Sequence, residues 1–181
     1  MSRPAEWTIY ESPLGPLTVS GGPEGIQGVH FPGRSLRLDQ GARRPMAAAS
    51  EQLDQYFAGE RKAFDLTLDL SGSPLQEVVW ACLRQIPYGS TISYGELARQ
   101  IDESVFPGGL EPYQRVRAAA AAVGQTPTPI LVPCHRVIGA DGSLTGYGGG
   151  LPRKQALLDL EAGGVFGAPS PARRPDQLAL L

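Results

Sequence analysis

Hydrophobic and polar positions divide this chain into two stretches of different rhythm. Up to about residue 70, apolar residues come in short alternating runs. Trp7-Thr8-Ile9-Tyr10, Leu17-Thr18-Val19 and Ile26-Gln27-Gly28-Val29-His30-Phe31 read as strands, because side chains alternate across a pleated sheet. Pro13, Gly15-Pro16 and Gly21-Gly22-Pro23 punctuate them as turns, so an antiparallel meander is expected. From Ala47 to Phe57 the period changes: Leu53, Tyr56 and Phe57 fall at helical spacing and Gly59 supplies a stop. Phe64 to Leu70 alternates strictly again and reads as a half-buried strand before a Ser71-Gly72-Ser73 linker.

Beyond residue 73 the helical period prevails. Ser73, Pro74 and Gln76 spell a capping box with proline in the first turn. The helix they open is predicted to reach about Ile86 and to bury Val79, Cys82, Leu83 and Ile86, with Pro87-Tyr88-Gly89 as its stop. Ser93 and Glu96 form a second capping box, opening a short helix to about Ile101. A third helix, about Pro112 to Val123, carries alanine from Ala118 to Ala122 and ends at Gly124, ahead of Pro127 and Pro129. Ile130-Leu131-Val132 reads as a buried strand, and Asp141-Gly142 as a hairpin turn between Val137-Ile138 and Leu144. After a Gly148-Gly149-Gly150 loop, a last helix starts at Pro152, buries Leu157, Leu158 and Leu160, and stops at Gly163. The expected organisation is a β-rich domain over residues 1–72, a helical domain over 73–164 and a mobile tail over 165–181.

Composition narrows the class of protein. With 181 residues, 41% of them hydrophobic, the chain can bury a modest core. Two cysteines make no disulfide framework, and no ligands stand at zinc-like spacing, so no metal is expected. No apolar run approaches the roughly 20 residues that span a bilayer. Met1 to Trp7 lacks the layout of a signal peptide. A cytoplasmic protein with no membrane partner is therefore expected. The net charge of −2 offers no support for nucleic acid. Locally the picture differs: residues 112–140 hold Arg115, Arg117 and Arg136 and no acid. The helix from Ser93 and the alanine-rich helix together suggest a helix-turn-helix. Alanines let a helix approach another surface closely, and spacing alone does not choose between DNA and another helix.

The sharpest candidate for chemistry is Pro133-Cys134-His135-Arg136. A thiol attacks as thiolate, and a neighbouring imidazole and guanidinium both favour the anion. Free cysteine is as often a small buried hydrophobe, the reading that fits Cys82 on its apolar stripe. A geometric objection also stands: neighbours on a strand point to opposite faces. Cys134 and His135 can act together only if the chain bends or a water bridges them, and Pro133 favours a bend. A third group would have to orient His135, and Glu161 is a candidate. From spacing alone Glu161 is more simply a solvated helix residue. His30, in an apolar strand, reads as structural.

Longer motifs go further. Ile130-Leu131-Val132-Pro133-Cys134-His135-Arg136-Val137-Ile138 resembles the acceptor motif of the O6-alkylguanine-DNA alkyltransferases, the methylated-DNA–protein-cysteine methyltransferases. The resemblance continues through Gly142, Leu144, Gly146-Tyr147, Gly149-Gly150-Leu151, Lys154, Leu157-Leu158 and Glu161. Upstream, Val79-Trp80, Leu83, Ile86-Pro87, Gly89, Ser93-Tyr94-Gly95-Glu96-Leu97-Ala98 and Tyr56-Phe57-Ala58-Gly59 also match, so it covers about Trp7 to Glu161. It implies an α+β protein: a small ribonuclease-H-like β-rich domain, then a helical, winged helix-turn-helix-like domain holding the cysteine. It implies direct, single-use DNA repair without a cofactor. The alkyl group of O6-alkylguanine in double-stranded DNA, with O4-alkylthymine as a second admissible lesion, passes to Cys134 of a monomeric protein that meets the nucleoid when it acts. Cys134 then matches the acceptor, His135 the base acting through a water, and Glu161 the carboxylate that orients His135. Tyr94 matches the tyrosine that helps rotate the nucleotide and meets the leaving base, and Arg117 the arginine that fills the gap in the stack. Ala118, Ala119 and Arg136 fall on the implied DNA side. Val123, Thr126, Pro129, Val132, Leu144, Tyr147, Gly148, Gly149 and Lys154 fall at the implied base pocket.

Three departures stand out. Thr126 occupies the position of a family Asn that ties the active-site turn to the recognition helix, and a hydroxyl cannot make both bonds of an amide. Asp102 to Glu111 makes a long helix–helix connection, in which Phe106, Pro107 and Gly108-Gly109 suggest either a flap or a neutral loop. Gly148 stands where relatives carry a Ser-like residue. Together these suggest a pocket for adducts larger than methyl. The alternative reading is a damage sensor that binds DNA without transfer, which retention of Cys134, His135 and Glu161 opposes.

Overall fold

The computed structural model describes residues 6–33 and 41–166. They fall into two compact units. One holds the residues up to Ser71 together with Pro127–Leu131; the other holds Gly72–Thr126 and the chain from Val132 on. The expected tail lies, from residue 167, outside the described residues. Among the described residues no helix is long and apolar enough to cross a membrane.

In the first unit the alternating runs form β1 (Glu6–Ser12), β2 (Gly15–Gly22) and β3 (Gly25–His30), the antiparallel meander the pattern predicts. A two-residue strand, β4 (Ala42–Arg43), pairs in parallel with the other edge of β1, giving the order β3-β2-β1-β4. Helix α1 (Ala47–Phe57) contributes Leu53 and Tyr56, both with no exposed surface, to the core that also holds Leu17, Val19 and Val29. Full burial of side chains this size stabilises by about 1.5–3 kcal/mol each. Tyr10 is buried too and donates its hydroxyl hydrogen to Asp54 Oδ1 at 2.7 Å, tying β1 to α1.

The run from Phe64 to Leu70 alternates in burial up to Leu68 but is not a full strand. It meets β3 at one bridge, Ile26 with Leu68. Ile26 exchanges backbone bonds of 2.9 Å with Thr67 and Asp69, and further along the same edge the Val29 amide donates to the Pro127 carbonyl at 2.9 Å. The edge of β3 is shared between two segments, so neither builds a ladder.

The second unit contains α2 (Pro74–Leu83), β5 (Ile92–Ser93), α3 (Tyr94–Gln100), a 3₁₀ turn over Glu103–Val105, and α4 (Pro112–Gly124). A second 3₁₀ turn over Cys134–Arg136, β6 (Val137–Ile138) and α5 (Leu151–Glu161) follow. Both capping boxes are present. The Gln76 amide donates to Ser73 Oγ at 3.3 Å while Gln76 Oε1 accepts from the Ser73 amide at 2.7 Å, and Glu96 repeats the pattern with Ser93. The core holds Val79, Trp80, Leu83, Leu97, Ala119, Ala122, Val123 and Leu157, and Trp80 Nε1 donates to the Ala122 carbonyl at 3.1 Å.

Four expectations need correction in this unit and its approach. Helix α2 ends at Leu83, though Ile86 is still buried, and Cys82 is only half-buried. At 100° per residue, Val79, Leu83 and Trp80 span one face and Cys82 falls at its edge. Gly124 does not stop α4; the helix runs through it and Gln125 forms the cap. Ile130-Leu131-Val132 is buried but is no strand: residues 130–131 form a turn, and Ile130 has φ of +77°. The prolines at 127, 129 and 133 remove the donors that a ladder needs. A β-branched residue in the left-handed region costs energy that the surrounding packing must offset. Finally, Val137-Ile138 does not pair with Leu144. Strand β6 pairs in parallel with β5, and Asp141-Gly142 makes only a tight turn closed by the Gly139 amide on the Ser143 carbonyl.

The long connection 102–111 is anchored. Phe106 is buried, Asp102 Oδ1 caps the 3₁₀ turn, and Glu103 pairs with Arg115, leaving Pro107, Gly108 and Gly109 as an exposed tip.

Candidate active site

The geometric objection to Cys134 and His135 is removed by the 3₁₀ turn over Cys134–Arg136. Successive side chains there step by about 120° rather than 180°, so neighbours can face one site. Cys134 and Arg136 are each 6% exposed and His135 not at all. Glu161, on the last turn of α5, is buried rather than solvated.

Glu161 is saturated with donors. Oε1 lies 2.7 Å from His135 Nε2 and accepts from Arg136 Nη2 at 2.9 Å. Oε2 accepts from Arg136 Nε at 2.8 Å and from the Gly89 amide at 3.1 Å. These occupy the roughly four acceptor positions a carboxylate offers. Gly89 has φ of +77°, and a Cβ there would stand 3.0 Å from the Glu161 carbonyl oxygen, so any other residue would be strained here. Arg136 Nη1 donates to the Ile86 carbonyl at 2.6 Å, which fixes the guanidinium from the other side.

This network sets the protonation states. Burial alone would raise the Glu161 pKa, but His135 and Arg136 together hold it well below the usual carboxylate range. Burial lowers the His135 pKa, against the opposing pull of Glu161. His135 is therefore neutral near pH 7, with its one N–H, on Nε2, donated to the ionised Glu161. Nδ1 keeps a lone pair, is buried, and has no hydrogen-bond partner among the described residues. Burial pushes the Cys134 thiol up to about 11, opposed by Thr126, by Lys154 and by the backbone amides of Cys134 and His135. Near pH 7 Cys134 is thus a protonated thiol, and His135, next to it in the chain, keeps a lone pair on Nδ1.

Tyr94 and Lys154 are placed by short elements. Strand β6 leaves the Cys134–Arg136 turn directly and β5 runs directly into α3, so the pairs Ile92–Val137 and Ser93–Ile138 carry Tyr94 to the thiol's side of the unit. Tyr94 donates its hydroxyl hydrogen to the Thr145 carbonyl at 3.2 Å. Burial raises its pKa, so it is a neutral phenol near pH 7. Lys154 is fully buried, and its ammonium donates to the carbonyls of Val137 at 2.6 Å and Thr145 at 2.9 Å while lying 5.8 Å from the Tyr94 ring. Of the other expected pocket residues, Val123, Thr126, Val132 and Gly149 are buried, Leu144 and Tyr147 half-buried and Gly148 exposed, while Pro129 belongs to the first unit.

The expected DNA side is revised residue by residue. Arg117 is exposed and Ala118 half-exposed, but Ala119 has no exposed surface and packs in the core. Arg136 is locked on Glu161 and Ile86 and offers nothing to a phosphate. Arg115 is half-buried and paired with Glu103. The open stripe of α4 is Tyr113, Arg117, Ala121 and Gly124, at spacings of four, four and three. Tyr113, 63% exposed, was not singled out by the pattern, and neither was the Gly89 amide. For Gly89 the signals in the sequence are a helix stop and a place in the family resemblance, neither of which points to its amide.

Comparison with known proteins agrees with this geometry. Residues 74–163 match the family model described as 6-O-methylguanine DNA methyltransferase, DNA binding domain. Residues 6–70 match that of the ribonuclease-like domain of the same family. The methylated-DNA–protein-cysteine methyltransferase of Mycolicibacterium paratuberculosis is 46% identical over 160 residues, 86% of this chain and 92% of its own. That of Methanosarcina acetivorans is 41% identical over 160 residues, 86% and 97% of the two chains. A crystal structure of Mycobacterium tuberculosis OGT in complex with DNA superposes with a TM-score of 0.78 at 43% identity, covering 90% of this chain and 96% of that one. With a buried Cys–His–Glu arrangement in place and family models matched along both halves, the chain belongs to the 6-O-methylguanine DNA methyltransferase family.

Proposed function

We propose that this protein repairs O6-alkylguanine in double-stranded DNA by taking the alkyl group onto Cys134, once per molecule. The observation that carries the reading is the buried arrangement of Cys134 beside His135, whose Nε2 is held by Glu161 and whose Nδ1 is free to accept a proton. Transfer to a cysteine is the activity named in its relatives. The target carbon sits inside a stacked duplex, so the nucleotide has to rotate out to reach a buried thiol. Arg117, exposed on α4, fills the gap left in the stack. The thiol proton passes to His135 Nδ1, directly or through a water. The sulfur then forms a bond to the alkyl carbon as the carbon–O6 bond breaks. Its electron pair leaves on guanine, which takes up a proton; the neutral Tyr94 phenol is the donor. Glu161 and Arg136 hold the imidazole in one tautomer and orientation throughout. The thioether that results has no route back to thiol, so the protein is spent. Cytoplasmic location and action as a monomer go with this reading.

Incubation with a duplex containing one O6-methylguanine, followed by peptide mass spectrometry, tests it. One methyl group on the Cys134 peptide per protein, with guanine restored, is expected. An unmodified Cys134 after exposure to excess lesion would overturn it. Cys134→Ser should bind the duplex and leave the lesion unrepaired.

A further inference from the structure

Tyr113 is 63% exposed, while every other described tryptophan, tyrosine and phenylalanine is buried or half-buried. It stands in the first turn of α4, four residues before Arg117. Four residues advance a helix by about 6 Å and turn it by about 400°, so the two side chains share one face, a turn apart. Beyond Arg117 the same stripe continues as Ala121 and Gly124, which are small. Tyr113 is therefore the large apolar group of an otherwise low face. Charge cannot serve this end of the helix. Its approach carries Asp102, Glu103 and Glu111, all exposed. The nearest cation in the chain, Arg115, is paired with Glu103 and donates its Nε hydrogen to the Leu110 carbonyl at 3.1 Å. What this end offers a partner is the ring, and aromatic rings dominate the energetics of interfaces.

We propose that Tyr113 is a second duplex contact of α4: its ring lies against the sugars and base edges of the groove, about two base pairs to one side of the nucleotide that rotates out. This rests on the reading of Arg117 as the side chain that fills the gap in the stack. Base pairs rise about 3.4 Å per step, so the 6 Å between Tyr113 and Arg117 is about two steps along the duplex. Apolar side chains make such contacts in DNA grooves without neutralising a phosphate. The ring holds one flank of the lesion, and the small residues Ala121 and Gly124 let the helix lie close on the other. The contact is one-sided, because only one end of the stripe carries a ring.

The test is binding of the full chain to a labelled duplex with one central O6-methylguanine, followed by fluorescence anisotropy over a range of salt. Tyr113→Ala should bind about tenfold more weakly, the scale of one aromatic contact with a nucleic acid, with an unchanged salt slope, since a phenol neutralises no phosphate. Its melting temperature should stay within about 2 °C of the parent. Tyr113→Phe should stay within about twofold of the parent in binding, because the ring makes the contact. In duplexes that leave one base pair beyond the lesion on its 5′ side or on its 3′ side, the Tyr113→Ala defect should vanish at one end and persist at the other. Parent-like binding by Tyr113→Ala, a defect equal at both ends, or Tyr113→Phe as weak as Tyr113→Ala would overturn the proposal. So would a DNA-free parent dimer that Tyr113→Ala dissolves in sedimentation, which would give the ring to a second copy of the chain. Single-turnover repair is measured alongside. If the parent binds the duplex and leaves the lesion in place, the repair reading fails, while the binding comparison still decides the role of Tyr113.

Discussion

At the scale of single residues the site is governed by one carboxylate. Glu161 holds His135 and Arg136 together, and both are buried with it. Glu161→Gln would leave a buried guanidinium without its counter-charge, a loss of about 3–5 kcal/mol. A urea titration should show that drop, and repair should fall with it. The pKa directions set the pH profile of stability. Glu161 has its folded pKa lowered, so the unfolded chain binds its proton first. That contribution is present above about pH 4.3 and is lost as pH falls below it. His135 is also lowered, so the unfolded chain gains a proton first as pH drops below about 6.5, and stability declines there too. Cys134 works in the opposite sense. Its folded pKa is raised to about 11, so the folded state keeps a proton the unfolded chain gives up above about pH 8.5. Stability should fall between those values in the parent and fall less in Cys134→Ser, as thermal melts at pH 8 and pH 10.5 would show.

At the scale of elements, very short pieces do the positioning. Strands β5 and β6 are two residues each, yet their pairing links the start of α3 to the turn that carries the thiol. Ser93 caps α3 one residue before Tyr94. Ser93→Ala should therefore cost about 1 kcal/mol in denaturant unfolding and should slow repair beyond what that loss explains. Helix α4 shows why its alanines left two readings open: one face packs inside the unit and another stays exposed. Ala119 and Ala122 pack inside the unit while Ala121 faces outward beside Arg117. Ala121→Glu should leave the melting temperature within about 2 °C, since exposed substitutions rarely move stability by more than about 0.5 kcal/mol, and should weaken duplex binding in a fluorescence titration. Ala119→Leu should do the reverse and unfold the unit, because a filled core has no room for three more carbons.

At the scale of the whole molecule, charge is the property that misleads. The net charge is −2, and two of the three arginines in the acid-free stretch are already paired with Glu103 and Glu161. Arg117 alone of the three is exposed and has no ion pair among the described residues. DNA binding should therefore show a shallow salt dependence, since each phosphate neutralised contributes a slope of only about −0.9 in log K against log salt. Arg117→Ala should reduce the slope by about one such step. It should also slow repair of duplex lesions more than alkylation by a small reagent, because only the former requires a rotated base.

Local chemistry sufficed for much of this protein. Alternation drew the meander, helical spacing and two capping boxes placed the starts of α2 and α3, and the long motif around Cys134 pointed to the family. Each of these is written within a few residues, so sequence by itself determined them. The tertiary structure decided the rest. Whether Phe64–Leu70 became a strand depended on a competitor from Pro127 for the same edge. Whether Arg136 served DNA or Glu161 depended on what lay beside it in space, 25 positions away in the chain. Whether Cys134 and His135 faced one site depended on a turn that the surrounding prolines and buried side chains impose. Edge competition, desolvation and the pairing of buried charges are long-range quantities, and no window of neighbouring residues contains them.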